Sequence, residues 1–195
     1  MLTISMIKNN TKKKIYDCIT FYQANMLFQL RFEILKDVVD YFVICEADKS
    51  HAGLKKNFNF NVNIPDSYKD KIIYIKVTDL PEIQITGKKD YKLLSIQMEK
   101  LFKGIQNADP DDLIIFSDED EIPNPKILNN FNYDKYKFGI FLQNMYYYKL
   151  NIMNLDEGNG NWPGSRICLK KNLKSFFKLR LLKLKNKNYP FWRID

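Results

Sequence analysis

The residues best suited to chemistry stand together in Phe116-Ser117-Asp118-Glu119-Asp120-Glu121-Ile122-Pro123. Four carboxylates follow directly on the apolar run Leu113-Ile114-Ile115-Phe116. Neighbouring carboxylates repel one another, and a bound cation offsets that cost. Hard oxygen ligands suit Mg²⁺ or Mn²⁺, with coordination completed by phosphate oxygens of a substrate. The spacing Asp118-x-Asp120 aims two side chains to one side if the backbone is still extended there. The plainer alternative is a solvated acidic loop ahead of a helix start at 123–125, where negative charge is also favourable.

Other groups with chemical potential are scattered. Glu46 and Asp48 close a second apolar run, YFVICEAD, where they are either ligands for a ribose hydroxyl or ordinary strand-end acids. Trp162 sits in GNGNWPGS, placed to stack on a sugar ring or to anchor its loop. Tyr146, Tyr147 and Tyr148 would alternate across a strand, with at least one in the core and one facing a cleft. His51 is the only histidine, so a Ser-His-Asp triad or a His-Cys metal cluster has little material. Cys18, Cys45 and Cys168 are far apart within apolar runs, which favours buried, reduced thiols.

The elements that must position these groups alternate in type. IYDCITFY (15–22), YFVICEAD (41–48) and KIIYIKVTDLP (71–81) read as strands. Between the first two, Leu27, Leu30, Ile34 and Val38 line one face of a helix, with Phe28, Phe32, Leu35 and Val39 beside it. Leu94, Met98, Leu101, Phe102 and Ile105 predict a second helix over 90–107 with Asp90 as its N-cap. The run 113–116 lacks polar alternation, as a parallel strand buried on both faces does. The Asn-rich stretch 49–69 reads as loop with a short extended piece at NFNFNV, and FGIFLQNMYYYKL and RICLK read as further strands. This order is that of an open α/β sheet, whose ligands bind outside the carboxyl ends of the strands.

With 195 residues, the chain suits a single domain over 1–195. Its net charge of +8 is concentrated: residues 166–193 hold ten basic and no acidic residues, whereas 1–165 hold 21 basic and 22 acidic. That pattern excludes a uniformly basic nucleic-acid binder. The basic amphipathic stretch 169–188 either packs through Leu173, Phe176, Phe177 and Leu181 at helical spacing, the favoured reading, or contacts an anionic membrane peripherally or a nucleic acid. No run approaches the ~18–20 apolar residues of a membrane span and no signal peptide is evident, so a cytoplasmic location is expected. Phosphate binding without a Gly-rich loop would have to go through the cation.

DVVDYFVICEAD (37–48), KIIYIKVTDLP (71–81), Gln97 with Gly104-Ile105, PDDLIIFSDEDEIPNP (110–125), YYYKLN (146–151) and NWPGSRI (161–167) together resemble glycosyltransferase family seventeen. These are the beta-1,4-mannosyl-glycoprotein N-acetylglucosaminyltransferases and their bacterial and viral relatives. The resemblance implies a GT-A-like open mixed sheet flanked by helices, a UDP-sugar donor, a glycan acceptor, inversion at the anomeric carbon, and a divalent metal at Asp118 and Asp120. Within that frame Glu121 is the candidate general base. Glu46, Asp48, Ser117 and Glu119 are candidate donor-binding residues, and Trp162 and Tyr147 candidate acceptor-binding residues. Family members continue past the equivalent of Asp195, so the chain is expected to be a C-terminally short member. The alternatives are an inactive nucleotide-sugar-binding or interaction module, and a metal-dependent phosphodiesterase.

Overall fold

β-branched and aromatic residues dominate four runs that form a parallel block in the computed structural model, which describes residues 12–82, 91–149, 151–154, 161–183 and 191–194. The strands of the block are β1 (Ile15–Phe21), β2 (Tyr41–Ala47), β3 (Ile72–Val77) and β4 (Leu113–Asp118). Three more strands, β5 (Phe138–Asn144), β6 (Asn161–Leu169) and β7 (Phe191–Ile194), complete a seven-stranded sheet in the order β3-β2-β1-β4-β6-β5-β7. β6 runs antiparallel to β4 and to β5, and β7 runs parallel to β5. The result is the open mixed α/β sheet anticipated from the pattern of elements.

Alternation along the strands sorts the core onto two faces. On one face Ile19, Phe21, Phe42 and Ile44 pack under helix α1 (Asn25–Leu35). On the other, Cys18, Val43, Cys45, Ile114 and Phe116 pack under α2 (Lys92–Lys100), the 3₁₀ turn that follows it (Leu101–Ile105), and the short α3 (Phe176–Arg180). Gly104 lies where that turn meets β2, and a Cβ there would collide with Val43 Cγ1. All three cysteines are free and buried, and burial pushes the Cys45 and Cys168 thiols up to about 12. They are inert packing groups.

Several expectations are corrected. The buried side of α1 is Phe28, Arg31, Phe32 and Leu35, whereas Leu30, Ile34 and Val38 are each more than a third exposed. The broad apolar stripe let either row face the sheet, and the aromatic row fills the gap above Phe42. α2 starts at Lys92, and Asp90 lies outside the described residues. NFNFNV forms no strand. Tyr146, Tyr147 and Tyr148 lie beyond the end of β5 and are all exposed, Tyr148 with φ 60°, so none enters the core. The basic stretch 169–188 starts as the end of β6 and turns into α3, burying Leu173, Phe176, Leu179 and Leu182; Leu181 is exposed, and 184–188 lie outside the described residues. No helix among the described residues is long and apolar enough to cross a membrane.

Candidate functional site

After β1 the chain crosses to β2 on one side, and β4 later joins β1 on the other. The sheet order therefore reverses at the β1–β4 boundary, where open α/β sheets leave a crevice at their carboxyl edge. A cleft of about 640 Å³ opens there. Thr20, Phe21 and Tyr22 at the end of β1 form its floor, Asp118, Glu119 and Asp120 one wall, and His51, Tyr91 and Arg180 the rest of the polar and aromatic rim.

The acidic wall is a turn. β4 ends at Asp118, and the Glu121 N–H donates to the Asp118 carbonyl at 3.1 Å, closing the chain on itself. The two aspartates therefore do not lie along an extended strand, the condition under which their spacing would aim both side chains to one side. Glu121 locks the turn from within: one carboxylate oxygen accepts from the Asp118 N–H (3.1 Å), the other from Trp162 Nε1 (2.7 Å). Burial and the nearby Asp118 charge push the Glu121 carboxyl above its ordinary value.

From beneath, the turn is held by a network that includes two charges the sequence reading passed over. Arg31 is fully buried and grips Asp17 through both Nε (2.6 Å) and Nη2 (2.5 Å). Its Nη1 donates to the Glu121 carbonyl (2.7 Å) and its Nη2 to Ser117 Oγ (2.9 Å). Ser117 Oγ in turn donates to Ser165 Oγ (2.7 Å), and Ser165 Oγ to the Glu121 carbonyl (3.2 Å). Ser117 is thus fully buried on the α1 side of the sheet, a support for the turn and not a donor-binding group. A signal was present: Arg31 falls three residues after Phe28 and four before Leu35, within the buried row.

Glu119 lines the cleft and also closes the start of α1. Its carboxylate accepts from the Tyr22 N–H (2.9 Å), with the Ala24 and Gln23 N–H groups nearby. α1 has no side-chain cap and no acidic residue in its first turn, so a carboxylate 97 residues distant supplies the negative charge its N-terminus favours. Burial nevertheless raises the Glu119 carboxyl above its ordinary value. His51 Nε2 faces Gln97 Oε1 at 3.2 Å, while Gln97 Nε2 donates to the Cys45 carbonyl. With the Gln97 amide so oriented, Nε2 is the donor to Gln97 Oε1, and burial lowers the His51 pKa below its ordinary value.

Glu46 has another role than ligand binding. Its carboxylate is fully buried and accepts from Lys56 Nζ (2.5 Å), the Asn59 N–H (2.7 Å), the Phe60 N–H (3.0 Å) and Tyr74 OH (2.6 Å), pinning the Asn-rich loop. Burial alone would raise this carboxyl, but the four donors outweigh it and hold the group below its ordinary value. Its stabilising contribution is therefore complete above the usual glutamate pKa and fades as pH falls through the lower folded value. Glu46→Gln should destabilise the chain at neutral pH and flatten its loss of stability from roughly pH 4.3 downward. Urea denaturation across that range checks this; equal slopes for both proteins would count against it.

The remaining candidates are dispersed. Asp48 follows β2 half-buried, and its Oδ1 is buried without a hydrogen-bond partner among the described residues. Trp162 is 38% exposed on β6, its ring edge fastened to Glu121. Tyr147, exposed, receives a hydrogen bond from Asn154 Nδ2 at its hydroxyl (3.1 Å). Asp118 and Asp120 carry the hard oxygens that a divalent cation favours. However, Asp118 is ion-paired with Arg180 Nε (3.1 Å) and Nη2 (2.6 Å). Among the described residues no group of three or more His, Cys, Asp or Glu is gathered for a metal. Asp120 is exposed on the cleft wall and fits as one ligand; Asp118 fits as a second only when Arg180 gives way.

The family model for glycosyltransferase family 17 matches residues 5–159. Over 127 residues the chain is 24% identical to the beta-1,4-mannosyl-glycoprotein 4-beta-N-acetylglucosaminyltransferases of Rattus norvegicus and Homo sapiens. The matched region covers 60% of this chain, and the chain spans 23% of the length of those curated relatives. Among solved structures, a 4-diphosphocytidyl-2C-methyl-D-erythritol synthase superposes with a TM-score of 0.49 at 10% identity, covering 94% of this chain and 90% of the other.

Proposed function

Because the chain belongs to glycosyltransferase family 17, we propose that it transfers N-acetylglucosamine or a related sugar from a UDP-sugar donor to a glycan acceptor, inverting the anomeric carbon. One observation carries the reading: the locked acidic turn 118–121 forms a wall of the cleft at the point where the sheet order reverses.

The donor enters between the ends of β1 and β4, into the cleft bordered by Thr20, His51 and Tyr91. The acceptor sugar lies against the exposed face of Trp162, whose N–H is held by the carboxylate of Glu121. A hydroxyl brought there reaches Glu121, which takes its proton as the oxygen attacks the anomeric carbon. The bond from that carbon to the diphosphate breaks on the opposite face. A divalent cation, Mn²⁺ or Mg²⁺, held by Asp120 and by Asp118 once released from Arg180, would neutralise charge growing on the leaving diphosphate.

Calorimetric titration with UDP, with and without Mn²⁺, tests the reading. Asp120→Ala is expected to weaken Mn²⁺-dependent UDP binding by about tenfold or more. Absence of UDP affinity under every condition would refute the proposal, and turnover of UDP-GlcNAc then separates an enzyme from a binding module.

A further inference from the structure

We propose that Arg180 is a diphosphate-binding residue of this cleft, held in readiness by Asp118 and transferred to the phosphates when the donor arrives. The inference rests on the reading above, and it adds a residue that neither the acidic motif nor the family model, which ends at residue 159, assigns.

The described residues lining the cleft include three carboxylates, Asp118, Glu119 and Asp120, and a single permanent cation, Arg180. A diphosphate brings several negative charges into a wall that is already acidic, so cationic groups must meet it. A guanidinium suits this task because its planar fork matches phosphate oxygens in the same two-pronged manner as a carboxylate. Arg180 already uses Nε and Nη2 on Asp118, and Nη1 has no partner among the described residues. Both side chains are about 30% exposed, so the pair faces solvent at the cleft and is open to exchange.

Two features of the surroundings support a designed position. The turn of helix carrying Arg180 is fastened: Phe176 and Leu179 are buried in the core, and Glu99 on α2 accepts from Ser175 Oγ (2.5 Å) and from the Phe177 N–H (3.1 Å). Behind the pair stands Arg166, about nine-tenths buried on β6 opposite Phe116, with its Nε unpartnered among the described residues. Arg166 feels the charges of both Asp118 and Glu121. It therefore continues to offset them when Arg180 turns to the phosphates.

The test uses inorganic pyrophosphate, UDP and uridine as probes by calorimetry in EDTA, repeated with Mn²⁺. Arg180→Gln is expected to weaken pyrophosphate and UDP by about tenfold or more while leaving uridine unchanged, and Arg180→Lys to fall between. The double variant Arg180→Gln with Asp118→Asn separates direct contact from screening. If Arg180 touches the phosphates, the double variant stays weak; if it merely neutralises Asp118, affinity returns and the proposal is overturned. Wild-type affinity in Arg180→Gln, or no pyrophosphate binding to the wild-type chain, overturns it equally. Pyrophosphate binding that depends on Arg180, together with no gain for UDP over pyrophosphate, would retain the inference and remove the nucleotide reading.

Discussion

Arg31→Met is expected to destabilise the chain by about 3–5 kcal/mol, the largest single effect anticipated outside the cleft. The guanidinium is fully buried, and so is its partner Asp17. Removing it leaves a carboxylate without compensation among Ile19, Phe28 and Phe32, and strips one donor each from the Glu121 carbonyl and Ser117 Oγ. Most of the cost belongs to the stranded charge, so Asp17→Leu added to Arg31→Met should recover a large share. Urea denaturation of the single and double variants measures this. A loss below about 1 kcal/mol in the single variant would show that the pair contributes no more than an exposed one. Because Arg31 also carries the turn 118–121, the rescued double variant should still bind UDP less tightly than the wild type.

The second large effect concerns turnover. Glu121→Gln keeps the shape of the side chain but replaces one accepting oxygen by an amide, which presents hydrogens where the carboxylate now meets the N–H of Asp118 or of Trp162. As the group that takes the acceptor's proton, Glu121 should be worth about 10²–10⁴ in kcat. Trp162→Ala removes the stacking face and should act instead on the acceptor KM, by about 1–3 kcal/mol in binding. UDP affinity should change little in Trp162→Ala, since that side chain does not line the donor cleft, whereas Glu121→Gln, which disturbs the turn carrying Asp118 and Asp120, should also weaken it. Steady-state kinetics with acceptor and donor varied separately distinguish the cases. A Glu121→Gln enzyme with wild-type kcat would move the base elsewhere, with Trp162 and the turn left as structure.

Local pattern sufficed for some of this architecture. The fully apolar Leu113–Phe116 run announced a strand buried on both faces, because a strand inside a sheet covered on both sides has no wet face; it pairs parallel with β1 and antiparallel with β6. The alternation of strand and helix periods gave the open sheet, and the strand order placed the acidic cluster at its carboxyl edge. α1 was legible as a helix but not in its rotation, since two adjacent apolar rows satisfy the same period. The tail was legible as basic and amphipathic, yet a count of charges could not separate Lys178, exposed on α3, from Arg180, which faces the cleft two residues later.

From its residues alone, then, this protein is determined to be an open α/β fold with an acidic strand end and the marks of a sugar-transferring family. These properties depend on the order of neighbouring side chains and on their period. Tertiary structure decided which of its charges are tools and which are fastenings. Glu46 went to the Asn-rich loop, Ser117 to the underside of the turn, Glu119 to the start of α1, and Asp118 to a guanidinium 62 residues further on. The reason is that a charged group's state is set by whichever partners reach it once water is excluded, and those partners are brought together only when the sheet is closed.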